Sequence, residues 1–262
     1  MITIGEKLNS SIPKTLEAIS AHDEAYLIEM IRLQAQCGAD YLDLNTAVAG
    51  NEAADMEWLI GLVKDHCECG IMIDSQNPEV VRAALPLCTG RPVILNSVTP
   101  SPVFEPLFSY LAECGTGVVC MPAGEFGLTQ SAEERTKTAQ ALCENLVLAG
   151  VRRENLYVDV MVEALATADQ AAVTALATLR AVRARISGVH TVCGLSNISF
   201  GLPRRGLLNR AFLAMAMAEG LDSAILDVTS PSIRETLAAC KSLLGQDEFC
   251  MDYIGFVRET AQ

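Results

Sequence analysis

Apolar positions change period repeatedly along the chain. Short, almost unbroken apolar runs occupy residues 2–5, 41–44, 71–73, 92–95, 117–121, 156–160, 191–195 and 223–228. Runs of this length read as strands covered on both faces, as in a parallel sheet. Between them, apolar residues recur three and four apart, the spacing of one helix face. Segment 25–37 groups Leu27, Ile28, Ile31 and Ala35 and stops at Gly38, and 51–67 groups Met56, Leu59, Ile60 and Val63. Ser131, with Glu134 three residues on, has capping-box spacing and opens a helix running towards Gly150. Segments 169–186, 209–219 and 232–244 continue the series. Eight strands alternating with eight helices predict an α/β fold, a closed (β/α)8 TIM barrel.

Length supports that reading. The 262 residues match the size of one barrel, and no Pro/Gly/Ser-rich linker or internal repeat divides them, so 1–262 reads as a single domain. An open doubly wound sheet would carry a phosphate loop, and neither GxGxxG nor GxxxxGK[ST] follows any strand. Lys plus Arg total 19 against 32 Asp plus Glu, a net charge of −13. That balance lacks the basic footprint needed for nucleic acid or an anionic membrane surface. The cleanest apolar run, 211–218, is far shorter than the ~20 residues of a membrane span. Met1-Ile2-Thr3-Ile4-Gly5-Glu6-Lys7 has no basic leader before an apolar stretch, so no secretory signal is expected and the chain reads as cytoplasmic. Ten scattered cysteines are expected as reduced, mostly buried thiols, and the one close pair, Cys67 and Cys69, lacks a second pair at zinc spacing. His22, His66 and His190 are far apart and read as structural or surface residues, so no metal site is expected.

In a barrel, chemistry sits at the C-terminal strand ends. Those positions carry Glu6, then Asp43 and Asn45, Asp74 and Ser75, Asn96 and Ser97, Met121, Asp159, Ser196 with Asn197 and Ser199, and Asp227 with Thr229. Schiff-base chemistry needs a strand lysine, and of the five lysines only Lys7 lies near a strand end. Magnesium could use Asp43, Asp74 and Asp159, but the interleaved amides favour a flat heterocycle. A carboxylate accepts two parallel N–H bonds from an amino-amidine edge, and a carboxamide both donates and accepts, so such a set suits a 2-amino-4-oxo pyrimidine. Asp43, Ser75 and Asp227 also have a plain reading as turn or cap residues.

Particular strings go further. Ile4-Gly5-Glu6-Lys7-Leu8-Asn9, Leu42-Asp43-Leu44-Asn45, Ile73-Asp74-Ser75, Leu95-Asn96-Ser97, Tyr157-Val158-Asp159 and Gly194-Leu195-Ser196-Asn197-Ile198-Ser199-Phe200 follow one another in that order, before Leu208-Asn209-Arg210-Ala211-Phe212. Across the whole chain this resembles the pterin-binding methyltransferases that exchange a methyl group between tetrahydrofolate and a corrinoid protein, including those of anaerobic demethylase systems. The resemblance implies a TIM barrel, a homodimer, tetrahydrofolate or 5-methyltetrahydrofolate as substrate, and a corrinoid (cobalamin) carried by a partner protein. It implies that Asp74, Asn96 and Asp159 hold the pterin ring and that Asn197 reaches N5. Gly194, Ser196 and Ile225 would line the pocket, and Arg205 would border the corrinoid or the folate tail. Glu6 and Asp43 match acidic positions deeper in the mouth. Dihydropteroate synthases share the barrel, but their Ser-x-Arg-Pro segment and final Arg-x-His are missing. A non-catalytic folate-binding subunit of a corrinoid assembly is the other alternative.

Overall fold

A computed structural model of the chain describes residues 1–123 and 131–260. Eight strands, β1 (Ile2–Asn9), β2 (Tyr41–Asn45), β3 (Gly70–Asp74), β4 (Val93–Val98), β5 (Gly117–Cys120), β6 (Leu156–Asp159), β7 (His190–Val192) and β8 (Ser223–Leu226), form one sheet. Every adjacent pair is parallel, and β8 returns to pair with β1. The seam between β7 and β8 carries one isolated bridge, Gly194 to Ile225, with the Ile225 amide donating to the Cys193 carbonyl at 2.9 Å. The sheet is a nearly closed (β/α)8 barrel in a single domain.

Among the described residues there are ten α-helices rather than the eight expected. Each of the first seven strands except β1 is followed by one: α3 (Glu52–His66), α4 (Pro78–Ala84), α5 (Phe108–Cys114), α6 (Ala132–Leu148), α7 (Ala171–Arg185) and α8 (Arg205–Ala218). The surplus lies in the first and last connections, which hold α1 (Pro13–Ala21) with α2 (Glu24–Gln36), and α9 (Pro231–Leu243) with α10 (Met251–Thr260). Helices α4 and α5 are seven residues each, too short to show a helical stripe in the sequence. Ser131 and Glu134 form the expected capping box at the start of α6. Strand β1 runs on to Asn9, beyond the expected end at Gly5. Strand β7 stops at Val192, short of Leu195, because residues 195–199 coil into a 3-10 turn.

Alternation along the strands places the site. Ile4, Met72, Ile94, Val119, Tyr157 and Val192 fill the barrel, with Tyr41 and Ile225 packed beside them, while residues such as Leu42, Ile71, Ile73 and Leu95 face outward onto the helices. Side chains two apart share a face. One step above the apolar plug stand Glu6, Asp43, Asp74, Asn96, Met121, Asp159 and Gly194. The registers stagger them at the C-terminal mouth: Asp43 pairs with Met72 and so lies below Asp74, which pairs with Asn96, while Asp159 pairs with Val192.

A repeated device holds the strands below. Asp40, just before β2, accepts from the Thr3 amide (2.7 Å) and hydroxyl (2.9 Å) on β1. Asp222, just before β8, does the same for Thr191 on β7 (2.7 and 3.1 Å), and Ser223 donates its hydroxyl to the Thr191 carbonyl at 2.6 Å. At the seam these bonds replace missing ladder bonds.

No disulfide links the cysteines: five are buried, Cys37, Cys67 and Cys69 are half-buried, and Cys114 and Cys250 are exposed. The histidines are structural, as expected: His22 stacks on Trp58, His190 stacks on Tyr157 and contacts Asp222, and His66 contacts Arg32. Among the described residues no helix is long and apolar enough to cross a membrane.

Candidate active site

The barrel mouth opens into a cavity of about 660 Å³, within the size range of small-molecule sites. All ten residues singled out in the sequence line it: Glu6, Asp43, Asp74, Asn96, Asp159, Gly194, Ser196, Asn197, Arg205 and Ile225. They are graded by depth. Asp43 is buried at the floor, Glu6, Asp74, Asn96 and Asp159 are half-buried on the wall, and Asn197, Phe200 and Arg205 are exposed at the rim.

Two bulges enlarge the set. The register between β1 and β2 shifts between Gly5 and Leu8, and that between β4 and β5 shifts between Leu95 and Val98. Each extra residue breaks the alternation, so Glu6 and Lys7, like Asn96 and Ser97, both face the cavity. The buried Gln34 of α2 supports the first bulge by accepting from the Lys7 amide at 3.0 Å through its Oε1. Lys7 and Ser97 therefore join the lining against period-two reasoning, and Asn9 at the end of β1, Gln76 after β3 and Phe200 after the 195–199 turn complete it.

The wall carboxyls are held by neutral neighbours and by burial. Asn45, anchored by the Ser10 hydroxyl at 2.7 Å, donates its Nδ2 to Asp74 Oδ2 at 2.9 Å. Burial, opposed by that bond, pushes the Asp74 carboxyl up to about 6. Asp159 Oδ1 accepts from the Met161 amide at 2.7 Å. Its burial likewise raises it to about 6, partly countered by the Met161 amide and the buried Arg135. Asp43 is raised well above the ordinary carboxyl range, chiefly by burial and then by Asp74 beside it, while Asn96 and Asn9 pull it down. Its Oδ1 has no hydrogen-bond partner among the described residues. Burial also raises Glu6, whose Oε1 accepts from the Ser196 hydroxyl at 3.0 Å. Lys7 is engaged with Asp227 at 2.7 Å. Among the described residues no group of three or more His, Cys, Asp or Glu is arranged to hold a metal ion.

Near pH 7 such a wall offers acceptors from Asp74 and Asp159, a two-way carboxamide from Asn96, and an unmatched oxygen from Asp43. These suit a ring with an N–H-rich edge. Asn197 has no side-chain hydrogen bond among the described residues, so its carboxamide is available to a ligand at the rim.

A barrel with a polar, heterocycle-reading mouth is the architecture of pterin enzymes. Residues 6–227 match the pterin binding enzyme family, and the chain belongs to it. It is 33% identical over 258 residues to the methylcorrinoid:tetrahydrofolate methyltransferase of Eubacterium limosum, spanning 97% of this chain and 94% of that one. It is 32% identical over 241 residues to the methionine synthase of Mycobacterium leprae, covering 86% of this chain but only 20% of that larger protein. Among solved structures, the dihydropteroate synthase of Xanthomonas albilineans in complex with 7,8-dihydropteroate superposes with a TM-score of 0.71 over 93% of both chains, at 20% identity. At that identity the likeness is one of fold.

Proposed function

We propose that the chain is a methyltransferase moving a methyl group between N5 of tetrahydrofolate and the cobalt of a corrinoid carried by a partner protein. One observation carries this: Asp74, Asn96, Asp159 and a free Asn197 carboxamide converge in one cavity. They do so in a chain similar over nearly its full length to a methylcorrinoid:tetrahydrofolate methyltransferase. Dihydropteroate synthase chemistry is supported by the fold alone.

In this reading Asp74, Asn96 and Asp159 bind the pyrimidine edge of the pterin, with Gly194, Ser196 and Ile225 forming the pocket around it. The methyl carrier N5 is a tertiary amine and a poor leaving group. As its C–N bond breaks, the electron pair stays on N5, and a proton there lets the amine leave neutral, assistance typically worth 10²–10⁴-fold. Asn197 cannot supply that proton at neutral pH, but its carbonyl oxygen accepts from a protonated N5 and stabilises the charge as it develops. Asp74 and Asp159 anchor the ring and bias the local field towards the protonated amine. The corrinoid supplies a cobalt centre able to take or give the methyl, and the exposed rim formed by Phe200 and Arg205 is where its carrier protein approaches. Fixing both reactants in line supplies much of the remaining acceleration.

The wider setting belongs to the same proposal: a homodimer in the cytoplasm of an anaerobic one-carbon or demethylation pathway. Phe249, Met251, Tyr253, Ile254 and Val257, on and just before α10, expose an apolar strip suited to a second copy. Ten unpaired cysteines suit a reducing compartment. The direct test mixes the protein with tetrahydrofolate and methylcobalamin. The reading expects the cob(I)alamin spectrum and 5-methyltetrahydrofolate to appear together. Tetrahydrofolate binding without either product would leave a folate-binding subunit instead.

A further inference from the structure

Asn197 is the exposed residue of a turn whose Leu195, Ile198 and Ser199 are buried and whose Ile198 carbonyl accepts from the Leu165 amide at 3.1 Å, so its own aim is set by the residues beside it. Residues 195–199 follow β7 at the seam, where the β7–β8 ladder is reduced to the Gly194–Ile225 bridge. Within the turn the Asn197 amide reaches the Gly194 carbonyl at a long 3.3 Å. Gly194 gives no steric margin, since a Cβ there would lie 3.0 Å from Asn197 Nδ2. Two side chains from elsewhere in the fold grip the turn. On the outer side Arg205 donates from Nη2 to the Ser196 carbonyl at 2.8 Å and from Nε to Ser199 Oγ at 3.1 Å. On the inner side Glu6 Oε1 accepts from Ser196 Oγ at 3.0 Å, joining residues 190 positions apart.

Two places beyond the inward Ile4, Glu6 reaches the cavity by ordinary alternation. It faces the cavity beside Lys7, but Lys7 is engaged with Asp227 at 2.7 Å, and the Ser196 hydroxyl is the only hydrogen-bond partner of the Glu6 carboxyl among the described residues. A half-buried carboxylate with one donor binds it strongly, because charge-assisted bonds are roughly twice as strong as neutral ones. Resting on the methyl-transfer reading above, we infer that Glu6 is a positioning residue: through Ser196 it fixes the 195–199 turn and so aims Asn197 at N5 of the folate. Glu6 then acts on the reaction without contacting the pterin.

The test separates the clamp from the chemistry. In the protein alone, amide hydrogen exchange across 194–200 should rise about tenfold in Glu6→Ala, the loss expected for one charge-assisted bond. Ser196→Ala, which removes the donor and leaves the acid, should match it, and Glu6→Gln, which keeps an acceptor oxygen, should restore slow exchange. In the methyl-transfer assay, Glu6→Ala should slow transfer at least tenfold while tetrahydrofolate affinity stays within about threefold, as for loss of a transition-state contact. Adding Glu6→Ala to Asn197→Ala should cost nothing further, because the clamp serves that one side chain. Unchanged exchange in both alanine variants would overturn the inference. So would a fall in tetrahydrofolate affinity as large as the fall in rate, which would make Glu6 a pterin contact, or rate losses that multiply in the double variant. If the wild-type protein binds tetrahydrofolate and transfers no methyl, the functional reading fails while the exchange experiment still decides the clamp.

Discussion

Asp74 and Asp159 share one physical situation: each carboxyl is enclosed, receives few donors and keeps its proton up to about 6. A pterin edge that donates N–H bonds favours their ionised forms and lowers both values. Tetrahydrofolate affinity should therefore be full above about pH 7 and fall as pH drops through about 6, with proton release on binding near that pH. Calorimetry in buffers of different ionisation heat reads both effects, and affinity that stays flat across this range would contradict the assignment. Folding stability has the opposite sign. Both folded values lie above the ordinary 3.8, so the stability these groups contribute is complete below about 4 and is lost as pH rises through about 6. Asp159→Asn, which swaps one acceptor for a donor, should weaken tetrahydrofolate binding by about 10–100-fold, the range for a charged hydrogen bond. Unchanged binding in the same calorimetric titration would take Asp159 out of the pterin site.

Strands show how much of the site can be read from residue order. The apolar runs mark all eight, and a polar residue two places beyond an inward apolar one, as in Met72 to Asp74 or Tyr157 to Asp159, marks the mouth. Period two predicts that Glu6 faces the cavity and Lys7 does not. The bulge reverses the second expectation, because its support is a glutamine on α2 distant in sequence, and only Gly5 hints at it. A Cβ on Gly5 would fall 2.4 Å from Gln34 Oε1 and 3.2 Å from Leu42 Cδ2. Gln34 is fully buried and its oxygen is committed to the Lys7 amide, so it cannot simply turn aside. Gly5→Ala should cost about 1–3 kcal/mol in urea unfolding, with the slope of the transition unchanged, and should slow methyl transfer by shifting Glu6. Strand β7 ends before its apolar run does: Leu195 is as apolar as the strand, but the turn that carries Asn197 begins there. Helices α4 and α5 left no stripe because each makes only about two turns.

At the scale of the molecule, a single barrel accounts for the length, and the net charge of −13 gains a location. Four of the acids, Glu6, Asp43, Asp74 and Asp159, line one mouth, so that part of the charge sits in the cavity and not on the outer surface. The apolar strip on α10 predicts a dimer by sedimentation, and Tyr253→Lys with Ile254→Glu should yield monomers without altering tetrahydrofolate affinity, since these residues lie outside the cavity lining. If methyl transfer occurs at Asn197 in this mouth, single-turnover kinetics of Asn197→Ala must register its loss. With 5-methyltetrahydrofolate and cob(I)alamin in a stopped-flow spectrometer, the methyl-transfer rate should drop by about 10²–10³-fold, the cost of losing one pre-aimed electrostatic partner. Tetrahydrofolate affinity, measured in parallel, should stay within a few-fold of the wild type. A variant that transfers methyl as fast as the wild-type protein would contradict the assignment.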